Sequence, residues 1–263
     1  MFKLIKYEFI KKYRLITLIL ITAVAFNIFL IFRGAEGSLL FLIFSPIVLY
    51  ILYLVDIIKM YGDDLNKKTG YMIFMTPNSG YKIITSKLLT AVLEGLGLLF
   101  IYFLFFIANS LYIISSLGGY IGLSHVINEI NSFFSGNIGY QFNIVHLFLF
   151  LLTAMVVLIA FITTVYTAIT IRKSLFSEVK YGGLLSFIIF VFINWTISWL
   201  SDRFFDFLSI TTYNNNFEFL IDTGRFLPDT FYMFLLPIVA FALIQIMVLA
   251  AFSGYLLEKK INL

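Results

Sequence analysis

An ionisable side chain inside a long apolar run is costly and is the first place to look for chemistry. Glu94 is such a residue, about two helical turns beyond Lys87 in the run 88–114. It can face a central cavity, pair with a basic residue near the cytoplasmic end, or position the preceding loop. The plain alternative is an interhelical hydrogen bond. Asp56 closes the run 39–58, where a short reach to water makes a carboxylate cheap and a special role unnecessary. Asn27 and Asn194, each within an apolar run, can bond across helices or touch cargo. Pro46 and Pro237 fall about two turns inside their runs; each removes a backbone donor and can kink its helix into a hinge. Ala160, Thr164 and Ala168 make a small-residue stripe suited to close helix approach.

Catalytic patterns are lacking. With no Cys and only His125 and His146, thiolate metal sites, disulfides and cysteine nucleophiles are excluded. Glu94, Glu129 and the two His do not fall at metalloprotease spacing, and no Gly-x-Ser-x-Gly occurs. No phosphate-binding loop is present either, since Gly95-Leu96-Gly97 is too short and too apolar to cradle a nucleotide. The chain is therefore read as a non-enzyme that binds no cofactor and cannot hydrolyse ATP by itself.

The elements that must hold these residues follow from composition. Of 263 residues, 61% are hydrophobic and 12% charged, against about 25% charge in soluble domains. So little polar surface implies an integral membrane protein, a single all-α transmembrane domain over 1–263. Six runs approach or exceed the roughly 20 residues needed to cross hydrocarbon: 15–32, 39–58, 88–114, 144–171, 184–200 and 230–256. The first is too long for a signal peptide and ends in Phe32-Arg33-Gly34-Ala35-Glu36, a poor cleavage site, so it reads as an uncleaved span. Fifteen of the 18 basic residues fall on one set of alternating connections, leaving Arg33, Arg203 and Arg225 on the other. Positive charge marks the inner side, which places both termini in the cytoplasm. The net charge of +4 is thus a bias towards anionic lipid and calls for no nucleic-acid partner. Trp195 and Trp199 suit an outer aromatic belt or packing in the core.

Between the spans, residues 1–14 put Phe2, Ile5, Phe9 and Tyr13 on one helical stripe with Lys3, Lys6, Lys11 and Lys12 off it. That is the pattern of an amphipathic helix lying in the cytoplasmic interface and leading into the first span. The inner connection 59–87 reads as a short helix, a break at Pro77, and a second helix entering the third span. Its apolar Tyr71, Phe74 and Met75 suggest docking against the membrane or a partner. On the outer side, Leu123, Val126, Ile127, Ile130 and Phe134 predict an interfacial helix within 115–143. The loop 201–229 mixes charges with Phe and reads as a lid-like or ordinary packed element.

The stretch Thr69-Gly70-Tyr71-Met72-Ile73-Phe74-Met75-Thr76-Pro77-Asn78-Ser79-Gly80-Tyr81-Lys82, running on to Lys87-Leu88-Leu89, resembles the inner loop of ABC-2-type transporter permeases. Lys6-Tyr7-Glu8-Phe9 with Lys11 and Lys12 resembles the amphipathic helix before their first span. The resemblance covers the whole chain in topology and about twenty residues in motif.

It implies a multi-pass permease subunit of an exporter in a bacterial plasma membrane, working as a like or unlike dimer with separate ATPase subunits that carry ATP and Mg. Asp64, Thr69, Gly70, Tyr71, Phe74, Thr76, Pro77, Tyr81, Lys82 and Lys87 would then couple to the ATPase, and Lys6, Glu8, Lys11 and Lys12 would form a connecting helix. Implied cargoes are amphipathic or antimicrobial peptides or drugs. Two other classes compete: a scaffold or immunity protein without an ATPase, and an ion-driven carrier, which would need more buried charge than Glu94 supplies.

Overall fold

The computed structural model describes residues 2–66, 79–116, 144–176, 182–207 and 228–259. Among these it is helical, with no strand: α1 (Phe2–Ile31), α2 (Ala35–Asn66), α3 (Gly80–Ser116), α4 (Ile144–Leu175), α5 (Gly182–Phe207) and α6 (Pro228–Lys259). All six are long and apolar enough to cross a membrane, as expected for a multi-pass membrane protein. Leu, Ile, Val and Phe lie on the outside in large numbers, because hydrocarbon solvates them as well as a protein core does. Each helix overruns its sequence-predicted span. Residues 2–14 continue into α1 without a break, and 59–66 and 80–87 belong to α2 and α3, so polar residues extend these helices past the hydrocarbon-length run. Thr69, Gly70, Tyr71, Phe74, Thr76 and Pro77, the outer segment 117–143, and residues 208–227 lie outside the described residues.

The chain divides into two compact units, residues 1–68 with 82–126 and residues 69–81 with 127–263. In the first, α1 turns into α2 through Gly34, whose φ of +88° suits glycine; its N–H donates to Ile31 O at 2.9 Å. A Cβ on Gly37 would come within 2.1 Å of Leu30 O, so the hairpin closes only over a bare Cα.

Long side chains tie α3 to this hairpin. Tyr53 on α2 donates to Ala91 O at 2.8 Å, and Gly95 makes the room, since a Cβ there would lie 2.9 Å from the phenol oxygen. Pro46 sits inside α2 and offers no N–H to Leu42 O, the carbonyl four residues back. Tyr102 on α3 donates to that carbonyl at 3.2 Å, supplying from a neighbouring helix the bond that the proline removes.

In the second unit α4 packs chiefly against α6 and also against α5. The predicted stripe is the contact: Ala160, Thr164 and Ala168 are buried together with Thr163 and Thr167. The hydroxyls of Thr167 and Ser253 meet across it at 2.9 Å. Gly80 and Tyr81 also belong to this unit. The Gly80 N–H donates to Glu258 Oε1 at 3.0 Å, a carboxylate at a helix N-terminus, and the Tyr81 ring fills the space left by Gly254.

The Pro46–Tyr102 pairing gives a quantitative expectation. Tyr102→Phe should destabilise the chain by about 1 kcal/mol. The same change should cost almost nothing in a Pro46→Ala background, where the backbone at position 46 regains an N–H that satisfies the Leu42 carbonyl. A double-mutant cycle by SDS titration in mixed micelles reads both values.

Candidate functional site

Two charged residues of α1, Glu8 and Lys12, are buried, whereas Lys3, Lys6, Lys11 and Arg14 are exposed. Glu8 and Lys12 are 3% and 6% exposed, whereas Phe2 and Tyr13 are 85% and 68% exposed. Of the predicted apolar stripe only Ile5 is fully buried. Ile5, Glu8 and Lys12 share one face, three and four residues apart, and that face meets α2 and α3.

Two layers of charge result. In one, the Lys12 ammonium donates to Glu94 Oε2 at 2.8 Å and to Asp56 Oδ2. In the other, Lys87 donates to Glu8 Oε1 and Asp64 Oδ2, and Lys11 adds a 2.8 Å bond to Asp64 Oδ1. The register explains why three helices can share both layers. Going from the first layer to the second, α1 steps back from 12 to 8, α2 forward from 56 to 64, and α3 back from 94 to 87, as alternating antiparallel helices require. A slide of one residue shifts a helix by about 1.5 Å and turns it by roughly 100°, which breaks the contacts in both layers together.

The sequence-predicted residues are distributed as follows. Asp64, Lys87, Glu8, Lys11, Lys12 and Glu94 come together in this network, and Glu94 takes a basic partner, one of the arrangements expected for it. Asp56 does not simply reach for water as expected; its carboxylate, largely buried, is paired with Lys12 of α1. Lys6 is exposed. Tyr81 lies in the other unit against Gly254, and Lys82 is exposed near the start of α3. Asn27 is buried with its Oδ1 unbonded, whereas Asn194 donates to Phe190 O of its own helix at 3.0 Å. Pro237 falls inside α6. Among the described residues Trp195 and Trp199 are exposed on α5, and Arg203 lies 5.8 Å over the Trp199 ring.

The sequence signals that would have found the network are Glu8 and Lys12 one turn apart, repeated as Asp56 and Asp64 two turns apart and Lys87 and Glu94 two turns apart. Among the described residues no cluster of His, Cys, Asp and Glu is arranged to hold a metal ion. No family model, curated protein or solved structure matches the chain.

Removing the shared cation should expose its cost. Lys12→Met leaves Asp56 and Glu94 facing each other without a counter-charge and should destabilise the protein by about 3 kcal/mol or more. Lys6→Met, on the outer face of the same helix, should stay within about 0.5 kcal/mol of the parent. SDS unfolding of the two variants side by side checks the contrast.

Proposed function

We propose that the chain is the membrane-spanning permease subunit of an ATP-driven exporter, coupled to separate ATPase subunits through the connection between α2 and α3 and working as a dimer with a like or related chain. Both termini are cytoplasmic on this reading, and the first turns of α1 lie at the inner interface beside the ATPase. The membrane is a bacterial plasma membrane, and ATP and Mg reside on the partner. Amphipathic peptides or drugs are the cargo classes.

One observation supports it most. Asp64 and Lys87 flank the connection on its two sides, and both are ion-paired to α1 through Glu8 and Lys11. A push on a segment anchored in this way moves three helices as one body, because buried ion pairs resist being separated in a medium of low polarity. Rigid-body tilting of spans is the usual means by which such a push opens a path. The motif residues resembling an ATPase-coupling loop sit in that connection, between the two anchors.

An ion-driven carrier is the second reading, and a specific observation favours it over a scaffold. Carriers keep buried charge at helix junctions, and the first unit holds Asp56, Lys12 and Glu94 in contact where the sequence alone suggested only Glu94.

Purification of the tagged chain in mild detergent should bring down a stoichiometric ATPase. Lys82→Glu, and separately replacement of 71–76 by a Gly/Ser segment, should lose most of that attachment or of its ATP-dependent transport while the chain remains inserted. Reproducible absence of an ATPase from intact parent protein would favour the carrier.

A further inference from the structure

The end of the first unit at the α1–α2 turn carries buried polar groups that neither charge layer explains. Asn27 on α1, Ser38 on α2 and Asn109 on α3 are 6%, 0% and 0% exposed. Their Oδ1, Oγ and Oδ1 atoms are buried, and among the described residues none of the three has a hydrogen-bond partner. The Asn109 side chain is held by its other end, since Nδ2 donates to Phe105 O at 2.9 Å.

The three residues occupy one level of the unit. On one side of them the rings of Phe26, Phe41 and Phe105 meet, with successive centroids 6.5 and 5.4 Å apart. On the other side Tyr112 on α3 donates to Ile31 O on α1 at 3.1 Å. Asn109 lies between Phe105 and Tyr112, one turn from each, and so on the face of α3 that makes both contacts. Asn27 follows Phe26 and stands one turn before Ile31, and Ser38 stands one turn from Phe41 on the side of Gly34. At a rise of about 1.5 Å per residue, each lies within about 6 Å of the ring layer along its own helix.

The chemistry of the set names the guest. The two amide oxygens can only accept, whereas the hydroxyl can also donate. One water meets that set: it donates its two protons to Asn27 and Asn109 and accepts the proton of Ser38, the usual number of bonds for a buried water. No direct bond joins the three oxygens, which is the spacing that a bridging water suits. A cation would meet neutral oxygens only. The buried carboxylates Glu8, Asp64 and Glu94 lie at the other end of the unit, and nearby Glu36 is exposed, so desolvation of a cation would go uncompensated.

We infer that Asn27, Ser38 and Asn109 bind one water molecule that bridges α1, α2 and α3 between the Phe26–Phe41–Phe105 rings and the Tyr112–Ile31 bond. The unit is then pinned at both ends, by ion pairs around Lys12 and Lys87 and by a water bridge near the α1–α2 turn. The site belongs to one chain and stands whether or not an ATPase attaches.

The sign of a substitution separates a bridged set from three orphaned oxygens. Removing an orphaned oxygen from an apolar interior relieves a penalty and stabilises, whereas removing one partner of a water bridge destabilises. In the full-length chain, Ser38→Ala and Asn27→Leu should each raise the SDS unfolding equilibrium constant by roughly threefold or more. The two together should fall well short of the product, because the second change acts on a bridge already broken. In lipid nanodiscs with isotope-labelled asparagine, the Asn27 and Asn109 side-chain amide protons should show a nuclear Overhauser cross-peak to water with the sign of a long-lived bound molecule, lost in Ser38→Ala. Unchanged or increased stability in both variants, full additivity of the two, or absence of the cross-peak from the parent would each overturn the inference. So would a parent melting temperature higher in sodium than in choline at equal ionic strength, which would make the guest a cation. None of these readouts involves an ATPase, so the outcome is separable from that of the co-purification.

Discussion

A charge placed among apolar helices must find its counter-charge there, and in the first unit this requirement decides how three helices lie. Hydrocarbon gives Leu and Phe little reason to prefer a neighbouring helix to lipid, so burial of apolar surface cannot choose the register of α1 against α2 and α3. Lys12 and Glu8 can. Each has partners on both of the other helices or on a helix that is itself held by the same lysine. Separating such pairs without water to receive them is expensive, and rotating any one helix would leave charges of both layers unpaired. The network is therefore better understood as a device for register than as a source of net stability.

The second unit solves the same problem by other means. Ala160, Thr163, Thr164, Thr167 and Ala168 let α4 and α6 approach closely, with hydroxyls that return their hydrogen bonds to their own helix or meet across the contact. Small residues make helix contacts by shape, and many neighbouring registers differ little in energy; charge layers make them by pairing, and neighbouring registers fail. The first unit accordingly needs glycine only where a turn or a Tyr53 ring requires it, at Gly34, Gly37 and Gly95.

This division sets what could be read from sequence. Helix number and approximate extent followed from run length alone, since the cost of exposing backbone to lipid leaves few alternatives. Glu94 was conspicuous because a lone carboxylate in an apolar run has to be answered. Asp56 and Lys12 were not, because both lie near the end of a run where water is the default partner. The stripe of Phe2, Ile5, Phe9 and Tyr13 gave no sign of the network, because the face of α1 buried against the neighbouring helices is the one carrying Ile5, Glu8 and Lys12, while Phe2 and Tyr13 stay exposed. Side-chain bonds to carbonyls, such as Tyr102 to Leu42, leave no trace in composition; only Pro46 announces that a carbonyl has lost its donor.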